Sequence, residues 1–336
     1  MSPANSVFTD YEQSIIRQIA IHRVRPNPVQ KLLSKAGRPF VVLMKLGQDS
    51  NIPAVRSISE KVHVWVQEGL IKSIQAANHI TGTQEVIRRF EKRGIHATDI
   101  ESLRYLPISQ LDAVANSFRM RSSMLLGAEG LLLGGATTLA EGVPGAQLVL
   151  PSLILADVTT SVTLLSRHTC RLASTYGFSS KDPENLPHIL AAMAPQTDTS
   201  DEGYLTIKAA VVTSIRESSQ FMSRTAGMMI DRHLLEREAP QMVRLITFVA
   251  DRLGVAVTEK ELGLLIPMAG ALLNSGINVS FQHIGHRTAQ DYFRRLLLEQ
   301  RYGEELVAFS INQEVAKLKE RRKAPFSNLN LTGPAA

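Results

Sequence analysis

Apolar residues recur at three- and four-residue spacing from one end of the chain to the other, and strict strand-like alternation is scarce, so the pattern predicts a nearly all-helical protein. Asp10 is placed to cap a first helix running to Val24, and Pro28 opens a second that is interrupted around Gly37 to Pro39. Pro53 suits the first turn of a helix whose apolar stripe is Val55, Ile58, Val62, Val66 and Ile74, with Trp65 beside it as a core side chain. Thr83 and Gly94 bound a short charged helix, and Pro107 starts a long one that reaches a glycine-rich region. Another helix runs from about Pro151 to Tyr176, where Gly177 is suited to a left-handed cap. Polar connectors around the short helix in "SSKDPENLPHILAAMAPQTDTSDEG" predict a mobile insertion. Beyond it the pattern gives an amphipathic helix from Gly203 to Glu238 and one after Pro240 that stops near Gly254. Thr258 and Glu261 have capping-box spacing ahead of an apolar run to Phe281, and a last helix spans Glu304 to Lys323.

Two stretches stand apart from this amphipathic rhythm. From Ser122 to Ser166 there is no Lys, Arg or His, yet Arg119 and Arg121 precede it and Arg167, His168 and Arg171 follow. Gly127, Gly130, Gly134 and Gly135 crowd its first helix, and glycines at that spacing let another backbone approach closely. Each costs roughly 1 kcal/mol of helix propensity, so several together need a packing reason. The second stretch, "LGLLIPMAGALLNSGINVSF", again mixes small residues, Gly270 and Gly276 among them, with bulky aliphatics and a kinking Pro267. It has about the length of one bilayer crossing, roughly 20 residues, but Asn274, Asn278 and Pro267 oppose a span. Glu129, Glu141 and Asp157 would each cost roughly 2.5–3.5 kcal/mol at a bilayer centre. The pattern thus predicts a multi-helix bundle around a central glycine-rich helical hairpin, packed as a core or touching lipid.

Composition narrows the partners. The formal net charge of +6 favours acidic ones, anionic lipid or nucleic acid. Aromatics make up only 5 % of the chain, too few for the stacking platforms of single-strand nucleic-acid binding, so nucleic acid is the less expected of the two. Cys170 is the only cysteine, which excludes internal disulfides, thiolate-rich zinc sites and iron–sulfur clusters and suits a reducing compartment. The first residues lack a basic start followed by an apolar run, so the expectation is a cytoplasmic protein that reaches the inner face of a membrane.

Familiar chemistry is mostly missing. "GAEGLLLGGATT" lacks the lysine of a phosphate loop, and no dinucleotide fingerprint, serine-hydrolase elbow or HExxH helix is present. Cys170 lies two residues from His168, which sends the two side chains to different sides of a helix. His283 and His286 share a helix face and with Asp291 sketch a weak metal site; histidines on a basic flank are the plainer reading, and neither a metal nor a cofactor is expected. Glu129 and Asp157 fall on helices expected to pack antiparallel, where they face each other or a cation; a salt bridge to Arg294 or Arg295 is the default.

Four ordered segments resemble the EcsC family of bacterial proteins: "DIESLRYLPISQLDAVA", "GAEGLLLGG", "LADVTTSVTLLSRHTCRLASTYGFSSKDPE" and "IPMAGALLNSGINVSFQHIGHRTAQDYFRRLLLE". The resemblance extends over roughly Arg25 to Tyr302 and singles out Asp112, Glu129, Gly130, Gly134, Gly135, Asp157, Tyr176, Gly177, Pro267, Gly270, Asn278, Ala289, Tyr292 and Arg295. The chain looks longer than the family pattern between Gly135 and Asp157. The resemblance implies a family and no particular reaction.

The organisation expected from these readings is an N-terminal helical region (1–100) packing on the core, an EcsC-like helical core (101–323) and a disordered tail (324–336). The leading functional expectation is a membrane-associated protein that binds lipid or a membrane protein. In it the basic end of the last helix, Lys317, Lys319, Arg321, Arg322 and Lys323, meets anionic lipid. Two other classes compete: a hydrolase using Glu129 and Asp157 as an acid/base pair with Asn278 orienting substrate, and a membrane-perturbing, toxin-like module.

Overall fold

Helical spacing becomes helix throughout the described chain. The computed structural model describes residues 7–24, 53–77, 82–118, 146–195, 201–225, 228–264 and 270–323, with the backbone alone at 53–60, 74–77, 82, 146–157, 255–256, 258–264, 270–278 and 322–323. In chain order the helices are α1 (Asp10–Val24), α2 (Pro53–Ala77), α3 (Gly82–Glu91), α4 over 108–118, α5 (Ala146–Thr175), α6 (Leu186–Ala191), α7 (Glu202–Arg224), α8 (Arg232–Glu238), α9 (Pro240–Leu264), α10 (Gly270–Tyr302) and α11 (Glu304–Lys323). Short 3-10 turns at Glu101–Tyr105 and Pro183–Asn185 join them, and no described residue lies in a strand, so the fold is all-α. The expected glycine-rich hairpin and the tail 324–336 fall outside the described residues.

The ends of these helices follow from local chemistry. At the start of α1 the cap is Thr9, one residue before the expected Asp10: its Oγ1 accepts from the Glu12 amide at 3.3 Å and its own amide donates to Glu12 Oε2 at 3.0 Å, a reciprocal capping box. The C-terminus of α5 closes as expected at Gly177, with φ +88°. There the Phe178 amide reaches back to the Ala173 carbonyl at 2.8 Å and the Gly177 amide to Ser174 at 3.1 Å. A side chain is excluded at Gly177 for a second reason, because a Cβ would sit 2.3 Å from Arg104 Cγ and 2.8 Å from its backbone nitrogen. Arg104 exploits that closeness: its Nε donates to the Gly177 carbonyl at 2.6 Å while its guanidinium lies 4.2 Å over the Phe178 ring.

Two long helices, α5 and α10, form the axis of the packing. Gly285 of α10 gives Leu165 of α5 room to enter, since a Cβ there would meet Leu165 Cδ1 at 2.2 Å. Further along, His168 bonds His286 and Tyr176 stacks on Phe293, so the two helices run parallel. Helix α2 packs on both α5 and α9, α3 on α5, and α9 on α7 and α10, while α1 and α11 pair with each other and cover α10. The core between them is aliphatic and aromatic, with Val162, Leu172, Leu245, Val249, Leu253 and Leu298 all sealed from water.

Four expectations are corrected. The segment 178–195 is no mobile insertion: Phe178, Leu186, Ile189, Leu190 and Met193 are buried, and Asn185 ties the loop to the Ser179 carbonyl at 3.1 Å. The helix expected from Gly203 to Glu238 is two helices, because Asp231 caps α8 by accepting from the Leu234 amide at 2.8 Å. Helix α9 does not stop near Gly254, nor do Thr258 and Glu261 cap a new one; a mid-helix glycine costs only roughly 1 kcal/mol, and the buried Leu253 and Val257 outweigh it. Finally, α5 begins at Ala146, ahead of Pro151.

Two glycines with the same left-handed backbone provide a test. Gly94 (φ +74°) has open space where a Cβ would go, whereas Gly177 is walled by Arg104. Gly94→Ala is expected to cost about 1 kcal/mol of unfolding free energy from backbone strain alone. Gly177→Ala should cost about 3 kcal/mol, the added part coming from overpacking. Urea titrations followed by circular dichroism measure both, and equal losses would show that the Arg104 contact contributes nothing.

Candidate functional site

Helix α10 carries buried polar side chains on two faces. At four-residue spacing His286, Gln290 and Arg294 share one face, which meets α1 and α4; Tyr292, Arg295 and Glu299 share another, which meets α7. Burial of so many polar groups is tolerated only where each finds a partner.

On the first face the partner is Asp112 of α4, 1 % exposed. Arg294 forks onto it through Nε at 2.9 Å and Nη2 at 2.8 Å, the bidentate geometry that makes such pairs strong. Tyr176 donates its hydroxyl to Oδ1 at 2.5 Å, Tyr11 donates to Oδ2 at 2.6 Å, and Gln290 approaches Oδ1 at 3.4 Å. Burial alone would depress the Arg294 guanidinium, but Tyr176 and Asp112 outweigh it and hold it above its ordinary value. Burial and then Asp112 push Tyr11 up to about 12 and Tyr176 well above the usual phenol range, so both remain donors.

The second face is a balanced cluster of three cations and three carboxylates. Arg295 bonds Asp201 and Glu299, each at 2.7 Å, and lies 3.5 Å over the Tyr204 ring. Arg23 of α1 also pairs with Asp201 at 2.5 Å, and Lys208 bridges Glu299 and Glu304 at 2.7 Å to each. Burial would raise the Asp201 carboxyl, yet Arg295 and Arg23 hold it below the usual carboxylate range.

Beside the Asp112 fork a cavity of about 510 Å³ opens between α1, α4 and α10. Its floor holds the buried His286, Gln290 and Arg294; its mouth is set by the exposed Gln18, Asn116 and His283; Tyr11, His22, Ser280 and Arg287 complete the described wall. His22 is turned aside to Asp291, 2.6 Å away. His286 faces the interior as well, its Nδ1 2.9 Å from His168 Nε2, where one ring donates and the other accepts.

The expected candidates divide sharply. Glu129, Gly127, Gly130, Gly134 and Gly135 lie outside the described residues, as does Pro267. Asp157 falls on α5, and Gly270, Gly276 and Asn278 on α10, where the backbone alone is described. Arg294 and Arg295, expected as default partners for Glu129 or Asp157, are salt-bridged to Asp112, Asp201 and Glu299, and the expected pairing with Glu129 or Asp157 lies outside the described side chains. Lys317, Lys319 and Arg321 are exposed on α11, Lys317 beside Glu314 at 2.7 Å; Arg322 and Lys323 end that helix. His283 and His286 share the cavity while Asp291 is engaged by His22, and no group of three or more His, Cys, Asp or Glu among the described residues could hold a metal ion. Burial pushes the Cys170 thiol up to about 12, which makes it inert as a nucleophile. The Asp112, Asp201 and Glu299 networks were missed as sites; the available signal was the paired Arg294 and Arg295 on an otherwise buried helix.

Two expected outcomes follow from this geometry. Asp112→Asn leaves Arg294 buried without its counter-charge and should lower unfolding free energy by about 3–5 kcal/mol; a urea midpoint within error of wild type would refute that role. Burial, reinforced by Arg171, pulls the His168 pKa down to about 3, and burial with Arg104 and Lys208 pulls His188 down to about 4. Both rings titrate near ~6.5 in the unfolded chain, so below that pH the unfolded state gains protons the folded state refuses. Stability is therefore full above about pH 6.5 and falls as pH drops toward about 4, by up to roughly 1.4 kcal/mol per pH unit for each ring. Urea unfolding across this range should show His168→Gln with a slope shallower by about one proton; an unchanged slope would contradict the neutral buried ring.

Of the positions that carried the resemblance, six have described surroundings, and five lie in these networks or their caps: Asp112 bonds Tyr176, Gly177 caps α5, Tyr292 bonds His188 at 2.9 Å and Arg295 holds Asp201. The sixth, Ala289, is fully buried. No curated protein and no solved structure matches the chain. The family model described as the EcsC protein family matches residues 43–297, which takes in α2 to α9 and most of α10. With well over half of its length matched, the chain belongs to the EcsC family.

Proposed function

We propose that this EcsC-family protein works at the cytoplasmic face of a membrane, where one end of the bundle meets anionic lipid. The observation that carries the reading is the parallel register of α5 and α10, set by Leu165 against Gly285, His168 with His286 and Tyr176 on Phe293. Followed toward their N-termini, both helices lead to the same end of the bundle. The stretches that arrive there, 146–156 and 270–281, contain no charged residue. An uncharged end on a protein of net charge +6 suits shallow contact with the headgroup and acyl boundary, where each basic residue that reaches anionic lipid adds about 1 kcal/mol. Among the described residues no helix is long and apolar enough to cross a membrane, which accords with contact from one side.

The hydrolase reading rests on Glu129 and Asp157, whose side chains lie outside the described residues, and the buried acids paired with Arg294 and Arg295 offer it no second pair. Asp112, Asp201 and Glu299 are each engaged by arginine, which leaves none of them poised for proton transfer. The acidic residues in the run from Ser122 to Ser166, Glu129, Glu141 and Asp157, weigh against deep insertion of a toxin-like kind.

Flotation with vesicles tests the proposal. The full chain is expected to rise with phosphatidylglycerol-containing vesicles at low salt, and less at high salt because the surface attraction is screened. Leu272→Asp, on the uncharged stretch of α10, should lose most of the floated fraction with helical content unchanged. The triple change Lys317→Glu, Lys319→Glu, Arg321→Glu should weaken it further. A chain that stays at the bottom of the gradient with anionic vesicles at low salt would end the reading.

A further inference from the structure

The cavity beside the Asp112 fork has a composition that neither the core networks nor the membrane end requires. All ten described residues lining it are polar, and none is a carboxylate. The neighbouring acids are spent elsewhere: Asp112 on Arg294 and two tyrosines, and Asp291 on His22. Asp291 Oδ1 makes no hydrogen bond among the described residues and lies 3.8 Å from Arg294, but it is outside the lining, and a space whose lining is rich in donors and holds no carboxylate is complementary to an anion.

Arg287 makes the argument specific. Unlike Arg294, whose Nε and Nη2 hold Asp112 and whose Nη1 donates to Gln18, Arg287 makes no hydrogen bond or ion pair among the described residues although it is half-buried. A guanidinium stays charged in proteins; burial works against the charge of Arg287 and Asp291 offsets this only in part, so a further counter-ion is favourable. Around it stand donors from three helices: Gln18 on α1, Asn116 on α4 and His283 on α10. The Gln18 carboxamide is oriented by accepting from Arg294 at 3.1 Å, which leaves its NH₂ as the donating end. Donors that converge from three directions fit a tetrahedral, many-oxygen group better than a planar carboxylate.

We infer that this cavity binds a phosphate group, either in a lipid headgroup or as free inorganic phosphate, with Arg287 as its anchoring cation. The cavity volume of about 510 Å³ exceeds what phosphate alone fills and leaves room for a headgroup substituent. Ser280 lies in the uncharged stretch 270–281 and His283 just beyond it on the same helix, so a lipid held by its phosphate here would have its chains beside the apolar end. Only the lipid source rests on the membrane reading; the phosphate site itself does not.

Isothermal titration of the full chain with inorganic phosphate, and separately with dihexanoyl phosphatidylglycerol below its micelle concentration, tests the inference. Saturable binding of at least one probe is expected, weakened about tenfold or more by Arg287→Gln and partly restored by Arg287→Lys. Circular dichroism shows whether the variants are folded, and the lysine variant keeps the comparison valid if the glutamine one is not. Tighter binding of the lipid analogue assigns the site to a headgroup, and equal or tighter binding of inorganic phosphate assigns it to the free ion. No binding of either probe to the wild-type chain, or undiminished binding to folded Arg287→Gln, would overturn the site. Phosphate binding combined with failed vesicle flotation would leave the site standing and remove the membrane reading, so the two failures are distinct.

Discussion

A single buried carboxylate organises much of this bundle. Asp112 can be ionised in the core only because Arg294 forks onto it and Tyr11 and Tyr176 donate to it. Those donors come from α1, from the capped end of α5 and from α10, so four helices share one point of registry. The strength of the constraint comes from the penalty for failure more than from the bonds themselves, because an unpaired charge in such surroundings is far more expensive than a paired one is favourable. Gly177 belongs to the same constraint, since its left-handed turn ends α5 immediately after Tyr176.

Successive residues on α10 then serve opposite sides. Arg294 and Arg295 are about 100° apart around the helix, which sends one to Asp112 and the other to Asp201 and Glu299. The charge-balanced cluster around Arg295 locks α7 and α1 to the second face, and Arg23 adds a contact from a helix outside the residues matched by the family. Fixing Arg294 also shapes the polar cavity, because a guanidinium used on Asp112 and Gln18 presents its flank to the space beside it while Arg287, two turns away, keeps its own donors. Along α10 the character thus changes from an uncharged N-terminal stretch, through a donor-lined cavity, to a charge-paired C-terminal half.

Much of the architecture was legible in the chain because helices are specified locally. The bounds of α1 and α11, the cap at Gly177 and the turn at Gly94 follow from spacing, capping residues and backbone permissiveness. Local reading failed where tertiary burial overrode it. The segment 178–195 has the composition of a loop but sits in the core, its Asn185 and Asp182 spent on backbone groups of the loop itself. Gly254 resembles a stop signal but is carried through by the buried residues on either side.

The sequence by itself determined that the chain is all-helical, which family it joins, and which stretches lack charge, since each depends on residue type and spacing alone. It drew the eye to Glu129 and Asp157, because a charge in an apolar run is conspicuous. Asp112, Asp201 and Glu299 lie in segments of ordinary amphipathic appearance, and nothing in their neighbours along the chain marks them as buried. Only the tertiary structure decided that, because the partners that make a buried charge tolerable arrive from helices distant in sequence: 182 positions separate Asp112 from Arg294, and 94 separate Asp201 from Arg295.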